Sequence, residues 1–372
     1  MDWYRDIFFP LACRMDPEVV HERTLHLMGS SFMSAPLRAA FRAFSNAENS
    51  SLTSTVAGLT FKNPVGLAAG FDKNASALPL FESLGFGAIE VGTVTPLPQA
   101  GNPRPRIVRL PADRALINRM GFPSDGAEAV AGRLRSYRLA AKARSHVPVL
   151  GVNIGKMKTT GVDDAARDYV SCFRTLKGFG DYFVLNVSSP NTPELRRLQE
   201  PERLSALFAA IAKENDSQVP LFVKIAPDLS DQELGELLEV CIDSQIAGVL
   251  TTNTTLSREG LMQATSEVGG LSGAPLFERS LSFVERVWRR TEGRLPIIGI
   301  GGISSVGQAL RYIGAGASLI QLYTGLVYEG PLLVKRLNVG IGRAVSRAGC
   351  RSIAELVGRG AHEISQLESV AV

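Results

Sequence analysis

The stretch 182-YFVLNVSSPNTPELRRLQ-199 begins as a buried strand and changes character within a few residues. Tyr182, Phe183, Val184, Leu185 and Val187 are apolar. Asn186, Ser188, Ser189, Asn191 and Thr192 then crowd around Pro190. Proline cannot donate to a ladder and biases Ser189 toward an extended backbone, so the strand is expected to end there. Amides and hydroxyls bunched at the C-terminal end of an apolar strand are costly if buried without partners. The stretch is therefore either an ordinary turn-rich loop or a ligand site. Outward from it, 200-EPERLSALFAAIAKE has a helical pattern and 221-LFVKIAP is again strand-like.

The same rhythm runs from residue 64 onward. Its apolar or Gly-rich runs are 65-VGLAAGF, 88-AIEVGTV, 148-PVLGVNIG, 182-YFVLNVSS, 221-LFVKIAP, 248-GVLTTNT, 296-PIIGIGG and 319-LIQLYTG. Continuous apolar runs of strand length fit parallel strands buried on both faces. Helical patterns such as 230-SDQELGELLEVCIDS and 276-LFERSLSFVERVWRR separate most of them. The expected fold is α/β, a (β/α)8 TIM barrel with a small N-terminal helical domain. An open doubly wound sheet is the alternative. Eight units, and no GxGxxG after the first strand, favour the barrel. The insertion over about 95–147 is expected to decorate the catalytic face, with 104-RPRIVRL as a short extra strand and 115-ALINRMGF after it.

The flanks differ from the repeat. Trp3, Ile7, Phe8 and Leu11 fall at helical spacing, and Pro10 is expected to weaken or kink that helix. Asp16-Pro17-Glu18 reads as a helix start, followed by Val20, Leu27 and Met28 on one face. Phe32, Met33, Leu37, Phe41 and Phe44 add further apolar surface. Two readings are open for residues 1–46: helices that cap the main domain, or an amphipathic platform for a membrane interface or a lipid-like ligand. Residues 47–60 read as a linker or short hairpin into Leu59-Thr60-Phe61. The expected boundaries are 1–46 for the helical domain, 47–345 for the barrel and 346–372 for a C-terminal tail of one helix and a loose end.

Composition narrows the class. The chain has 372 residues and a formal charge of +4, with basic and acidic residues mixed and no Lys/Arg run pointing to nucleic acid. Cys13, Cys172, Cys241 and Cys350 are far apart with no CxxC, which argues for free thiols in a reducing compartment. No stretch reaches the roughly 18 apolar residues that span a bilayer. The opening MDWYRDIFFPLACRMD resembles neither a secretory signal nor a transit peptide.

In a barrel of this kind the site lies at the C-terminal strand ends. Those ends supply Gly70, Asp72, Lys73, Thr93, Asn153, Asn186, Ser189, Lys224, Thr252, Asn253, Thr254, Gly301, Gly302, Tyr323, Thr324 and Gly325, joined by Asn118 from the insertion. The set is rich in amides, hydroxyls and lysine, with no cluster of Asp, Glu or His. A metal site or a two-carboxylate hydrolase needs what is missing. Lysines and amides suit an anionic, amide-rich ring and the electron-rich edge of a cofactor. The glycines of 299-GIGGIS and 323-YTGL let backbone N–H groups approach a phosphate after the last two strands.

These residues resemble the dihydroorotate dehydrogenases, FMN-dependent enzymes of pyrimidine synthesis. The resemblance rests on 66-GLAAGFDKN, 92-GTVTP, 117-INRMGF, 152-VNIGK, 186-NVSSPNTP, 223-VKIAPD, 252-TNTT, 269-GGLSGAPL, 299-GIGGI and 323-YTG, in order over about 58–340. The N-terminal helices and Ser189 resemble the class 2, membrane-associated, quinone-using branch, whereas class 1 has cysteine as the base. The resemblance implies oxidation of (S)-dihydroorotate to orotate, a proton going to Ser189 and a hydride to FMN. A serine is a poor base, so a relay through Thr192 and a water is expected, with Phe122 closing the site.

By the same resemblance, the substrate meets Lys73, Asn118, Arg119, Met120, Gly121, Phe122, Asn186, Asn191, Asn253 and Thr254. FMN meets Ala69, Gly70, Lys73, Thr93, Asn153, Asn186, Lys224, Thr252, Gly273, Gly302, Tyr323 and Thr324. Lys224 is placed near the flavin N1/O2 edge. His21 and Arg109 match polar positions of a quinone tunnel, with Tyr323 between tunnel and flavin. Quinone and the membrane surface are the expected partners, without metal or nucleic acid. The expected state is a monomer, held peripherally on the cytoplasmic side of a bacterial cytoplasmic membrane. Two positions depart from the family pattern: a smaller residue is expected at Phe71 and glycine at Ala75.

Three rivals are weaker. Another FMN barrel oxidoreductase, including a fumarate-using dihydroorotate dehydrogenase, shares most of these features. The hydroxy-acid oxidases among them need a histidine base, and none of His21, His26, His146 or His362 lies at a strand end. A phosphosugar isomerase would need carboxylates, and a membrane scaffold gives no reason for Ser189 and two lysines.

Overall fold

The computed structural model describes residues 3–29, 35–45, 47–142, 144 and 147–369; Phe32, Met33 and His146 lie outside them. The chain starts with a π-helical turn over Tyr4–Phe8 that runs into α1 (Phe9–Ala12). The Phe9 N–H reaches back to Tyr4 O, so the wider winding carries the chain into the turn where Pro10 has no donor to offer. Helix α2 (Pro17–Gly29) starts where Asp16 Oδ1 accepts from Glu18 N and Val19 N, both at 2.9 Å. Helix α3 (Ala35–Ser45) follows. The 47–60 segment resolves into a hairpin, β1 (Ser54–Val56) and β2 (Leu59–Phe61).

The repeat then begins with β3 (Val65–Leu67), α4 (Leu78–Ser83) and β4 (Ala88–Val94). An excursion carries β5 (Ile107–Leu110) and β6 (Ala115–Asn118) before α5 (Ala127–Ala141). Next come β7 (Val149–Ile154), α6 (Ala165–Leu176), β8 (Tyr182–Asn186) and α7 (Pro201–Ala212). They are followed by β9 (Leu221–Ile225), α8 (Asp231–Asp243), β10 (Gly248–Thr251) and β11 (Gly270–Gly273). The last units are α9 (Phe277–Thr291), β12 (Ile297–Ile300), α10 (Val306–Gly314), β13 (Leu319–Leu322) and α11 (Thr324–Glu329). Helices α12 (Leu333–Arg347) and α13 (Ala361–Ser369) end the chain.

Strands β3, β4, β7, β8, β9, β10, β12 and β13 pair in parallel in that order and close on themselves, so the fold is a (β/α)8 barrel. All five residues of β8 are buried, as are those of β9, which explains their unbroken apolar pattern. The hairpin β1–β2 puts Val56 and Phe61 against Ala88, Tyr182, Phe222 and Ile298 at the strands' N-terminal ends. That plug closes one end of the barrel and leaves the other for a site.

A second, three-stranded antiparallel sheet, β11-β6-β5, stands over the open end. The sequence pointed to one extra strand in the insertion; β6 and β11 were not foreseen. The N-terminal helices lean on this sheet through a buried ion pair, with Arg106 Nη2 2.7 Å from Glu18 Oε1. Helix α3 is tied to α4 by Arg42 and Glu82 at 2.5 Å. The residues after α12 carry Ile353, Leu356 and Ile364 into the main core, and Gly360 N bonds Gly314 O at 2.8 Å.

Candidate functional site

The open end of the barrel holds a pocket to which nearly every strand contributes. Ala69, Gly70 and Lys73 come from the β3 end, and Thr93 from β4. Asn118, Met120, Gly121 and Phe122 come from the excursion. Asn186, Ser189 and Asn191 follow β8, and Lys224 lies on β9. Thr252, Asn253 and Thr254 follow β10; Gly273, Gly302, Tyr323 and Thr324 complete the wall. Residues widely separated in sequence thus meet because each closes a strand of one barrel. Ser272, Leu276, Ile300, Ile303 and Gln321 also line the pocket and were not singled out from sequence. Ser272 arrives on β11, whose short Gly-Leu-Ser-Gly pattern reads as a turn, and bonds Thr324 Oγ1 at 2.8 Å.

Four expected residues lie elsewhere. Asn153 sits one layer behind the wall, where its Oδ1 accepts from Thr93 Oγ1 at 2.6 Å and Asn186 Nδ2 at 3.1 Å. Arg119 turns away: its guanidinium pairs with Glu267 at 3.0 Å and donates to Pro105 O at 2.7 Å. Arg109 donates to Ala12 O and Met15 O at 3.1 and 2.8 Å, holding the end of the first helical segment. His21 on α2 bonds Phe71 O at 2.7 Å. Its ring packs edge-on to Phe71 at 4.9 Å, and Phe71 packs on Tyr323 at 5.3 Å. Phe71, where a smaller residue was expected, therefore bridges α2 and the pocket wall. Ala75, where glycine was expected, takes φ 58°, a left-handed conformation in which a Cβ is strained.

The polar groups form two linked sets. Asn186 donates to Thr93 Oγ1 at 2.9 Å, and its Oδ1 accepts from Asn253 Nδ2 at 3.3 Å. Across the mouth, Asn191 Nδ2 donates to Asn118 Oδ1 at 3.2 Å. Ser189 is 6% exposed, and its Oγ accepts from Asn191 N at 3.3 Å. Thr192 Oγ1 is buried without a hydrogen-bond partner among the described residues. Arg196 clamps this loop, donating to Ser188 O and Thr254 O, both at 3.0 Å.

Charge is scarce and costly here. Burial pushes the Lys73 ammonium down to about 8, opposed by Glu18 and reinforced by Arg106. Burial also holds His21 down at about 3, reinforced by Lys73 and opposed by the Phe71 carbonyl. A neutral His21 must then donate from Nε2 to that carbonyl, since the carbonyl can only accept. Lys224 is lowered by burial and supported by Glu90.

The β12 and β13 ends make an anion cradle. A Cβ at Gly302 would lie 2.6 Å from Phe277 Cβ, and its φ is 67°, so no other residue fits that turn without displacement. The first turn of α11 has no side-chain cap, which leaves its backbone N–H groups for a ligand. The site thus offers backbone N–H groups to an anion, two lysines, and a belt of amides and hydroxyls.

The chain is similar to known proteins along most of its length. The family described as "Dihydroorotate dehydrogenase" matches residues 51–345. A Synechococcus protein named dihydroorotate dehydrogenase (quinone) is 47% identical over 367 residues, covering 92% of this chain and 94% of its own. A Chloroflexus aurantiacus protein of the same name is 49% identical over 349 residues, covering 91% and 94%. The crystal structure of the Eimeria tenella enzyme in complex with ferulenol is 38% identical, with a TM-score of 0.85, covering 92% of this chain and 95% of that one.

Proposed function

The chain belongs to the dihydroorotate dehydrogenase family, and from that premise we propose that its pocket binds FMN beside dihydroorotate, with Ser189 as the base. The reaction is the oxidation of dihydroorotate to orotate with a quinone as acceptor. The observation that carries the site assignment is the convergence of Lys73, Ser189 and the four asparagines 118, 186, 191 and 253 on one pocket.

The residues fit a flavin mononucleotide. Gly302 and the first turn of α11 suit its single phosphate, and Thr93 and Asn186 offer hydroxyl and amide groups to the ring. Lys224, which lines the pocket, would supply positive charge to the electron-rich edge of the flavin. The flavin, when bound, supplies the hydride acceptor and the route by which electrons reach quinone.

The chain's own groups do the rest. Lys73 pairs with the substrate carboxylate, and the asparagines orient the ring's alternating N–H and C=O edge. Ser189 Oγ takes the proton from the carbon next to the carbonyl. Thr192, three residues on in the same loop with a buried hydroxyl that has no hydrogen-bond partner among the described residues, passes that proton on through a water. Phe122, 9% exposed and held at φ 53°, excludes water.

Quinone reaches the flavin from the His21–Phe71–Tyr323 side. Trp3, Ile7, Phe8 and Leu11 are all more than 50% exposed save Phe8 at 42%, and they dock on a membrane surface. Among the described residues no helix is long and apolar enough to cross a membrane. The protein acts as a monomer bound peripherally to the cytoplasmic membrane. The test is the released chromophore: heat-denatured protein is expected to yield FMN, and FAD or no flavin would contradict the cofactor assignment.

A further inference from the structure

Barrels of this kind usually fill their interior with layers of branched apolar side chains. The layer at the floor of the pocket is polar instead. Glu90 on β4, Tyr182 on β8 and Gln321 on β13 meet there, all buried. Gln321 Nε2 donates to Glu90 Oε2 at 2.6 Å, and the Tyr182 hydroxyl donates to the same oxygen at 3.3 Å. Asn153 Nδ2 donates to Oε1 at 2.9 Å. Gly151 faces Glu90 across the β4–β7 register, and a Cβ there would collide with the Tyr182 ring. The barrel gives up side-chain volume to hold this cluster.

Glu90 does not line the pocket, and the reaction as described makes no use of it. All three hydrogen-bonding neighbours present a donor to it. An ionised carboxylate is acceptor-only and satisfies them, whereas a protonated one would aim its O–H at a donor. Gln321 turns its nitrogen to Glu90 although this leaves its own Oε1 buried without a hydrogen-bond partner among the described residues. A buried carboxylate needs a compensating cation. Burial pushes the Glu90 carboxyl up and the Lys224 ammonium down, and the attraction between the two opposes both shifts, so Lys224 is that cation.

We propose that Glu90 is a positioning residue that works through Lys224 and Asn153. It keeps the Lys224 ammonium charged at the pocket floor. By holding Asn153 Nδ2 it also turns Asn153 Oδ1 toward Thr93 and Asn186, which sets the face Asn186 offers to Asn253. The proposal rests on the reading that Lys224 faces bound flavin.

The test is the pH dependence of the flavin midpoint potential in the holoenzyme. In the Glu90→Gln variant burial acts on Lys224 without the opposing carboxylate, so its proton is lost at lower pH than in the wild type. The potential of that variant is expected to fall more steeply with pH, from a lower pH upward, than in the wild type. Glu90→Asp, which keeps the charge, is expected to follow the wild type. A Glu90→Gln profile parallel to the wild type, or the same extra step in Glu90→Asp, would overturn the proposal. Lys224→Met separates the two readings: if it leaves the potential unmoved, the cofactor reading fails.

Melting temperatures test the link in every case, including poor folding of a single variant. Lys224→Met leaves Glu90 unpaired, so the Glu90→Gln/Lys224→Met double variant is expected to melt above Lys224→Met. A double variant that melts below both singles would break the link between the two residues.

Discussion

Ser189 and Lys73 line the same pocket, from the ends of β8 and β3, and each makes a separable prediction. Among the described residues Ser189 Oγ accepts from the Asn191 N–H and has no histidine or carboxylate hydrogen-bond partner, and Thr192 follows three residues on with its hydroxyl buried. Ser189→Ala removes the proton acceptor and is expected to slow dihydroorotate-dependent flavin bleaching by about 10²–10⁴-fold, with orotate affinity little changed. Stopped-flow absorbance reads the first effect and equilibrium titration the second. Lys73, lowered to about 8 by burial, binds a carboxylate only while protonated. Orotate affinity is therefore expected to be flat below pH 8 and to weaken by about tenfold per pH unit above it. The stability contribution has a definite sign. Folded Lys73 holds its proton less tightly than the unfolded side chain at 10.5, so its penalty is full below pH 8 and fades as pH rises toward 10.5.

At the scale of elements, the contact that matters most is between α2 and the sheet over the open end. Glu18 and Arg106 are both 5% exposed on their side chains and joined by three hydrogen bonds. Removing one partner of such a pair costs about 3–5 kcal/mol locally. Glu18→Gln is expected to loosen the N-terminal helices, detected as faster proteolysis within residues 3–45. At pH 6 it is expected to slow reoxidation by quinone while leaving bleaching by dihydroorotate near its normal rate. Because Glu18 also raises Lys73, the variant should move the fall in orotate affinity to lower pH. Unchanged proteolysis together with unchanged reoxidation would mean that α2 is held by other contacts.

Across the whole molecule, what could be read from sequence was what repeats. Eight apolar runs, each ending in glycine or a polar group, became the eight barrel strands, and their ends became most of the pocket wall. The antiparallel sheet was harder. Strand β11 has no apolar alternation, and its register with β6 is set by a pairing about 150 residues away. Residues 353–364 read only as part of a tail because their burial depends on α10, not on any periodicity of their own. Arg119 shares a motif with Asn118, yet it follows the end of β6 and points to Glu267, away from the pocket. Glu90 did leave a trace, as one acid inside the run Ala88–Val94, but its partners lie on three other strands.

The measurement that tests the central claim most directly is anaerobic mixing of the purified protein with dihydroorotate, followed by a soluble quinone or fumarate. The account predicts bleaching of the flavin by dihydroorotate, fast recovery with quinone and none with fumarate. A flavin that dihydroorotate fails to bleach, or one that recovers with fumarate and not with quinone, would contradict it.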